Sequence, residues 1–256
     1  MDDDTRDSAA RGPTSRRSDS GAEPRFEDRL LPFQLDDVQQ VIRWTLIASI
    51  AVNAVCRYFD GETTEAVLSA LCVAALLINR RVGAAITAVV YLLTTVSAHE
   101  YLIMSIAAIL ALFPSPRQMV LLLKVQLTVM WVFTGIAKLH PAFRSGRVFE
   151  RGPLLFFDHL PINLVIWGTI VIELIALPVL LWWKPKVAFW VALVFQTSVY
   201  VGMFRYRSAW SFEREFSFRL SLLSFEIAVM GAALVVTLLW PRVAAAAPGA
   251  RRAHAR

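Results

Sequence analysis

Long apolar runs follow one another from about residue 42 to residue 240, and they constrain the fold more than any other feature of the sequence. Backbone polar groups in lipid have no water to bind, so a spanning segment satisfies them internally, most simply as a helix. The chain is 57% hydrophobic and only 18% charged, which is too apolar for a soluble globular domain. The sequence therefore predicts an all-α protein, a polytopic transmembrane helical bundle of about eight helices.

Eight candidate spans can be placed on these runs. They cover roughly residues 42–59, 64–79, 82–97, 100–114, 119–139, 162–183, 186–204 and 217–240. The third and fourth are short and are separated only by the sequence SAHE, so they predict a tight helical hairpin that stops short of a full crossing.

The ends of the chain differ from its middle. Residues 1–31 mix both charges with Ser, Gly and Pro and predict a disordered cytoplasmic tail. Residues 32–240 form the predicted membrane domain, and residues 241–256 a short basic tail. The formal net charge of +6 is explained by arginines beside membrane helices, so the expected partner is a lipid bilayer and no nucleic acid is needed.

The short connections predict an orientation. Those containing NRR, SPRQ and KPK are basic, whereas those containing DGETTE and SAHE have neither Lys nor Arg. Basic loops stay in the cytoplasm, so both termini are predicted to be cytoplasmic. The connections after the fifth and seventh spans break this pattern, because they face outward yet carry several arginines. Either the topology differs, or outer arginines such as Arg144 bind an anionic group.

The fifth span has a polar stripe. Lys124, Leu127, Trp131, Thr134 and Lys138 are spaced by three or four residues and so fall on one helix face. Such a face is expected to line the bundle interior or a water-filled cavity. Lys138 then has two interpretations: an anchor whose ammonium reaches the headgroups, or a partly desolvated amine that acts as a base or nucleophile.

Other polar residues extend this prediction. His99 and Glu100 lie at the outer tip of the predicted hairpin, and His140 follows Lys138, which places an outward-facing polar site at several helix ends. His99 either caps the hairpin or transfers protons. Glu173 and Glu226 lie deep in their spans, where a carboxylate is either part of a site or a member of a buried pair, for example Glu173 with Lys124. No metal-binding spacing is present.

Three segments carry a family resemblance: LLKVQLTVMWVFTGIAKLHPAFRSG, SAHEYLIMSIAAILALFPS and VIELIALPVLLW. They resemble parts of the horizontally transferred transmembrane (HTTM) domain of vitamin K-dependent gamma-carboxylases. The first looks like the family signature, and the matching positions are Gly135, Lys138, Leu139, Pro141, Phe143 and Gly146. SAHEYLIMSIAAILALFPS resembles its His-and-Tyr hairpin, with His99 and Tyr101 on the motif. VIELIALPVLLW resembles its Glu-and-Pro helix, with Glu173 and Pro178 aligned.

The resemblance implies a function. It implies that Lys138 is the catalytic base that deprotonates a reduced vitamin K or menaquinone, that His99 assists, and that the protein is a lyase-like or oxidoreductase-like enzyme of the bacterial plasma membrane. A peptide is the implied second substrate. The predicted substrate-contacting residues around this base are Glu100, Tyr101, Trp131, Thr134, His140, Arg144, Glu173 and Gln196. Of these, Tyr101 and Glu173 lie on the family motifs, and Gln196 stands near a position where the family often has a second histidine.

Two other functions stay open. The carboxylases carry a large outer domain that this sequence lacks after residue 240, which speaks against protein carboxylation. A non-enzymatic membrane protein for maturation of, or immunity to, a secreted peptide is therefore the alternative. A small transporter has less support, because the sequence contains no convincing internal repeat.

Overall fold

A computed structural model describes residues 37–94, 98–146, 160–203 and 212–245, and within these ranges it contains helices and turns but no strand. All of these helices belong to one compact unit, Gln34–Arg256. In chain order they are α1 (Asp37–Phe59), α2 (Thr63–Ile78), α3 (Arg80–Thr94), α4 (Ala98–Leu112), α5 (Pro116–Ala137), α6 (Pro141–Arg144), α7 (Ile162–Val171), a π-helical turn (Ile172–Ala176), α8 (Leu177–Trp183), α9 (Pro185–Met203) and α10 (Phe212–Ala245). The predicted all-α class is confirmed.

Four of the described helices are long and apolar enough to cross a membrane. They are Val38–Phe59, Pro116–Ala137, Ile162–Trp183 and Phe216–Pro241. Helices α2, α3 and α4 have only 16, 15 and 15 residues. At 1.5 Å per residue each reaches about 22–24 Å, less than the roughly 30 Å of a hydrocarbon core. The length criterion thus supports four of the eight predicted spans, and the predicted short hairpin corresponds to α3 and α4.

Helix α10 lies at the centre of the bundle, where it packs against α1, α4, α5 and α9. Its seam with α1 includes small polar residues. Ser49 and Ser224 each donate a hydroxyl hydrogen bond to the other's carbonyl oxygen at 2.8 Å, and the Cys56 thiol donates to the Ser217 carbonyl at 3.2 Å. Since low numbers on α1 meet high numbers on α10, the two helices are antiparallel. Small residues let two helix backbones approach each other closely.

One end of the bundle, here called the basic end, collects the start of α1 and the end of α10. Gln39 on α1 donates its amide to the Pro114 carbonyl before α5 at 3.2 Å, and Thr237 on α10 donates to the Pro185 carbonyl at the start of α9 at 3.1 Å. The Arg43 guanidinium caps the last carbonyls of α2. Six cationic residues lie at or beside these contacts: Arg43, Arg80, Arg81, Arg117, Lys184 and Lys186. The first and last described helices therefore share a strongly cationic end.

The end of α1 and the start of α10 define the opposite end of the bundle. The Phe59 and Phe216 rings meet edge to face there, with centroids 5.0 Å apart. Lys138 belongs to this end, because α5 starts at the basic end and terminates at Ala137. The predicted tails at 1–31 and 246–256 lie outside the described residues, and α10 continues five residues beyond the predicted end of the last span.

Candidate functional site

An ion pair between Lys138 and Glu173 is the centre of the candidate site. The Lys138 ammonium donates a short hydrogen bond to Oε2 of Glu173. The Lys138 side chain is 23% exposed and the Glu173 side chain 6% exposed. Lys138 thus connects a buried carboxylate with the molecular surface at the end of α5. The structure brings together two residues that the sequence singled out separately.

The carboxylate is carried by an irregular turn. Glu173 lies in the π-helical turn between α7 and α8, where the Leu177 N–H bonds to the Ile172 carbonyl five residues earlier. Pro178 follows directly, and its ring would collide with the Leu174 carbonyl in a regular helix. A widened turn relieves this collision. Turns of this kind are frequent at functional sites, because they re-aim one side chain without ending the helix.

A glycine allows α5 to reach this turn. A Cβ at Gly135 would lie 2.8 Å from the Leu174 Cβ and 2.9 Å from the Leu174 backbone nitrogen. No side chain fits into that space, so the two backbones approach as closely as they do only because residue 135 is glycine. Lys138 lies one helical turn further along α5 and therefore faces Glu173.

The predicted polar stripe of α5 does face the interior. Lys124, Leu127 and Trp131 are buried, while Thr134 and Lys138 are half-buried. The Thr134 hydroxyl donates to the Trp131 carbonyl at 3.0 Å and lies beside the Glu173 carboxylate. The Trp131 indole N–H is buried and has no hydrogen-bond partner among the described residues. It is a free donor on the same helix face as Lys138.

The suggested pairing of Glu173 with Lys124 is wrong. Lys124 is fully buried and packs instead against two indoles, with its Nζ 3.7 Å from the Trp240 ring centroid and 4.6 Å from that of Trp182. Lys124 lies about four turns before Lys138 on α5 and therefore meets α8 near its end, while Glu173 lies before α8.

Glu100 belongs to a second buried network. It accepts hydrogen bonds from Arg57 Nε at 2.9 Å and from the Asn53 amide at 3.3 Å. The Asn53 amide also donates to the Tyr91 hydroxyl at 3.0 Å. Arg57 and Glu100 are both buried, so the pair ties α1 to the start of α4. Glu100 was predicted as a substrate contact, and the structure gives its carboxylate these protein partners.

The other residues predicted for the site differ in their location and burial. His140 caps α6, since its Nδ1 accepts the Ala142 N–H at 3.2 Å. Arg144 and Tyr101 are exposed, Gln196 is buried on α9, and Glu226 on α10 is half-buried. The backbone of His99 lies in the first turn of α4, but its side chain lies outside the described residues. Of the predicted outer arginines, Arg147, Arg151, Arg205 and Arg207 also lie outside them.

Sequence reasoning missed Asn53, Arg57 and Tyr91. A signal was present, because Asn53 and Arg57 stand four residues apart on one face of an apolar helix. An arginine near the end of a membrane helix is ordinarily an interfacial cation, so the residue type alone does not indicate a buried pair. Among the side chains that the structure describes, no three His, Cys, Asp or Glu groups converge.

No protein-family model, no curated protein and no solved structure matches the chain. The resemblance to the HTTM family therefore stays a prediction based on its three sequence segments.

Proposed function

We propose that the chain is an integral membrane enzyme in which Lys138, paired with Glu173, takes a proton from the hydroxyl of a lipid-soluble, quinol-like substrate. The observation that carries this proposal is the ion pair itself. A half-buried amine bonded to a buried carboxylate forms two proton-exchanging groups in contact, at the end of an apolar bundle. The resemblance to the carboxylase membrane domain points to the same lysine.

The pair supports proton transfer by its own chemistry. The hydrogen bond between the two groups gives the ammonium proton a direct acceptor, so in the proposed reaction a proton passes along it from Lys138 to Glu173. The neutral Lys138 amine is then free to accept a proton from a substrate hydroxyl, while Glu173 keeps the first proton. Glu173 thereby sets the charge state of Lys138, and His99 is proposed to assist the transfer.

The surrounding groups fit an aromatic alcohol. The unpartnered Trp131 indole N–H is a donor for a substrate oxygen, and the Thr134 hydroxyl oxygen is an acceptor, since its O–H donates to the Trp131 carbonyl. The Phe143 ring centroid lies 5.9 Å from the Lys138 ammonium. A reduced vitamin K or menaquinone would supply the acidic hydroxyl and the reducing electrons. Tyr101, His140, Arg144 and Gln196 are proposed as outer contacts for this substrate or for a peptide.

The proposal places the protein in a bacterial plasma membrane with both termini in the cytoplasm. The basic end of the bundle holds the start of α1 and the end of α10, and cationic ends face the cytoplasm in most membrane proteins. Lys138 then faces the outer side. The shorter helices α2, α3, α4 and α9 are proposed to complete an eight-helix bundle in the membrane.

An epoxidation assay tests the function. Purified protein is incubated with reduced menaquinone or vitamin K under oxygen, and epoxide is followed by mass spectrometry. Wild type and Lys184→Met, which removes an exposed lysine at the basic end, are expected to form epoxide, whereas Lys138→Met is expected to lose at least about a hundredfold of the rate. Equal epoxidation rates in folded Lys138→Met and in wild type would rule out Lys138 as the catalytic base.

A second function is favoured by the same contact. An ion pair of this kind also serves as a purely structural link, and the protein would then act by binding, as a maturation or immunity factor for a secreted peptide. In that case Lys138→Met would lower the melting temperature without a specific loss of function, and changes at exposed residues such as Arg144 would impair peptide binding.

A further inference from the structure

Lys124 at the basic end of the bundle is a buried cation whose contacts do not neutralise it. Its side chain is 0% exposed, and its Nζ lies 3.5 Å from the Trp182 carbonyl oxygen, at the limit of a hydrogen bond. The Trp240 and Trp182 rings cover two further sides. No carboxylate contacts Lys124 among the residues that the structure describes.

The two indoles stabilise the ammonium charge of Lys124 but do not accept hydrogen bonds from its N–H groups. A desolvated cation–π contact stabilises a buried ammonium, whereas a charged lysine within a membrane segment is costly to insert. The rings thus offset part of the cost. An ammonium nevertheless has three N–H donors, and only one of them reaches an oxygen here. The net positive charge has no protein counter-ion in the described structure.

The surroundings of Lys124 indicate where a counter-ion would come from. The Lys124 side chain points back toward the start of α5, and Trp182 and Trp240 lie next to the ends of α8 and of the apolar part of α10. Tryptophans at such positions mark the lipid headgroup level. Trp182 is 45% exposed and its indole is held by one hydrogen bond to the Thr128 hydroxyl at 2.9 Å. Trp182 is therefore the exposed wall between Lys124 and the lipid.

We propose that the Lys124–Trp182–Trp240 cluster is a binding site for an anionic phospholipid headgroup of the cytoplasmic leaflet. The headgroup phosphate approaches past Trp182 and accepts the unused ammonium N–H donors of Lys124. The site is separate from Lys138 and does not depend on the proposed enzyme activity.

Native mass spectrometry of the full chain in detergent tests this site by titration with phosphatidylglycerol and with phosphatidylcholine. Wild type is expected to bind phosphatidylglycerol more tightly than phosphatidylcholine. Lys124→Met is expected to bind phosphatidylglycerol about tenfold more weakly than wild type does. Lys184→Met is the matched control, because Lys184 also lies on an indole, 4.7 Å from the Trp183 ring centroid, but is exposed. It is expected to bind almost as wild type does.

Three results would overturn the proposal. The first is a wild type with no preference for phosphatidylglycerol, which needs no variant. The second is an equal loss in Lys124→Met and Lys184→Met, which would mean that surface charge alone attracts the lipid. The third is binding of inorganic phosphate with the same affinity as phosphatidylglycerol, which would identify a soluble anion as the ligand. If Lys124→Met fails to fold, Lys124→Arg and Trp182→Leu replace it: the first is expected to keep the preference, and the second to weaken it.

Discussion

Two lysines on one face of α5 have different partners, and the difference explains their proposed roles. Lys124 is fully buried between two indoles, whereas Lys138 is half-buried and bonded to a carboxylate. A cation over an aromatic face has no group that takes its proton. An amine beside a carboxylate has one, so proton exchange is proposed for Lys138 alone.

Gly135 is the residue on which the Lys138–Glu173 contact most depends. We expect Gly135→Ala to push α5 away from Leu174, to cost about 1–3 kcal/mol of stability, and to weaken the ion pair. Thermal unfolding in detergent and the epoxidation rate measure the two effects. Gly168→Ala on α7 is the control, because a Cβ there meets nothing within 4 Å. It is expected to be neutral or to stabilise by up to about 1 kcal/mol. Equal melting temperatures for the two variants would contradict the close approach.

At the scale of the element, the π-helical turn directs the Glu173 side chain toward Lys138. Pro178→Ala removes the ring that opposes a regular helix, so the turn is expected to tighten and to rotate Glu173 away from Lys138. The expected result is a large loss of epoxidation together with a lower melting temperature, because Glu173 and Lys138 lose their ion pair. Pro185→Ala, at the first turn of α9 where proline is well tolerated, is the control. Full activity in Pro178→Ala would show that the turn has no part in positioning the carboxylate.

At the scale of the whole molecule, the basic end predicts the orientation. We expect a membrane-impermeant maleimide to label Thr64→Cys in intact cells and to label Arg81→Cys only after permeabilisation. Both positions are exposed, and they lie at opposite ends of the bundle, because Thr64 is at the start of α2 and Arg81 is at the start of α3. The natural Cys56 and Cys72 are buried, so their labelling in the parent chain gives the background. The reverse pattern would place Lys138 in the cytoplasm and contradict an outer site.

The sequence predicted the helical class and the inward face of α5, because both follow from periodic patterns of apolar and polar residues. It did not predict which lysine meets Glu173. That choice depends on the register of two helices, which Gly135 and the turn before Pro178 determine together. The Arg57–Glu100 pair was missed for a similar reason, since its partners are 43 residues apart and meet only when α1 packs on α4.

A double-mutant cycle on Lys138 and Glu173 tests the central claim most directly, with melting temperature and epoxidation measured on the same samples. Lys138→Met and Glu173→Gln are each expected to cost about 1–3 kcal/mol, between the values for exposed and buried ion pairs. The double variant is expected to be more stable than the sum of the two losses predicts, because neither charge is left unpaired, yet to form no epoxide. Additive losses of stability would contradict the ion pair, and epoxide formation by the double variant would contradict its role as the base.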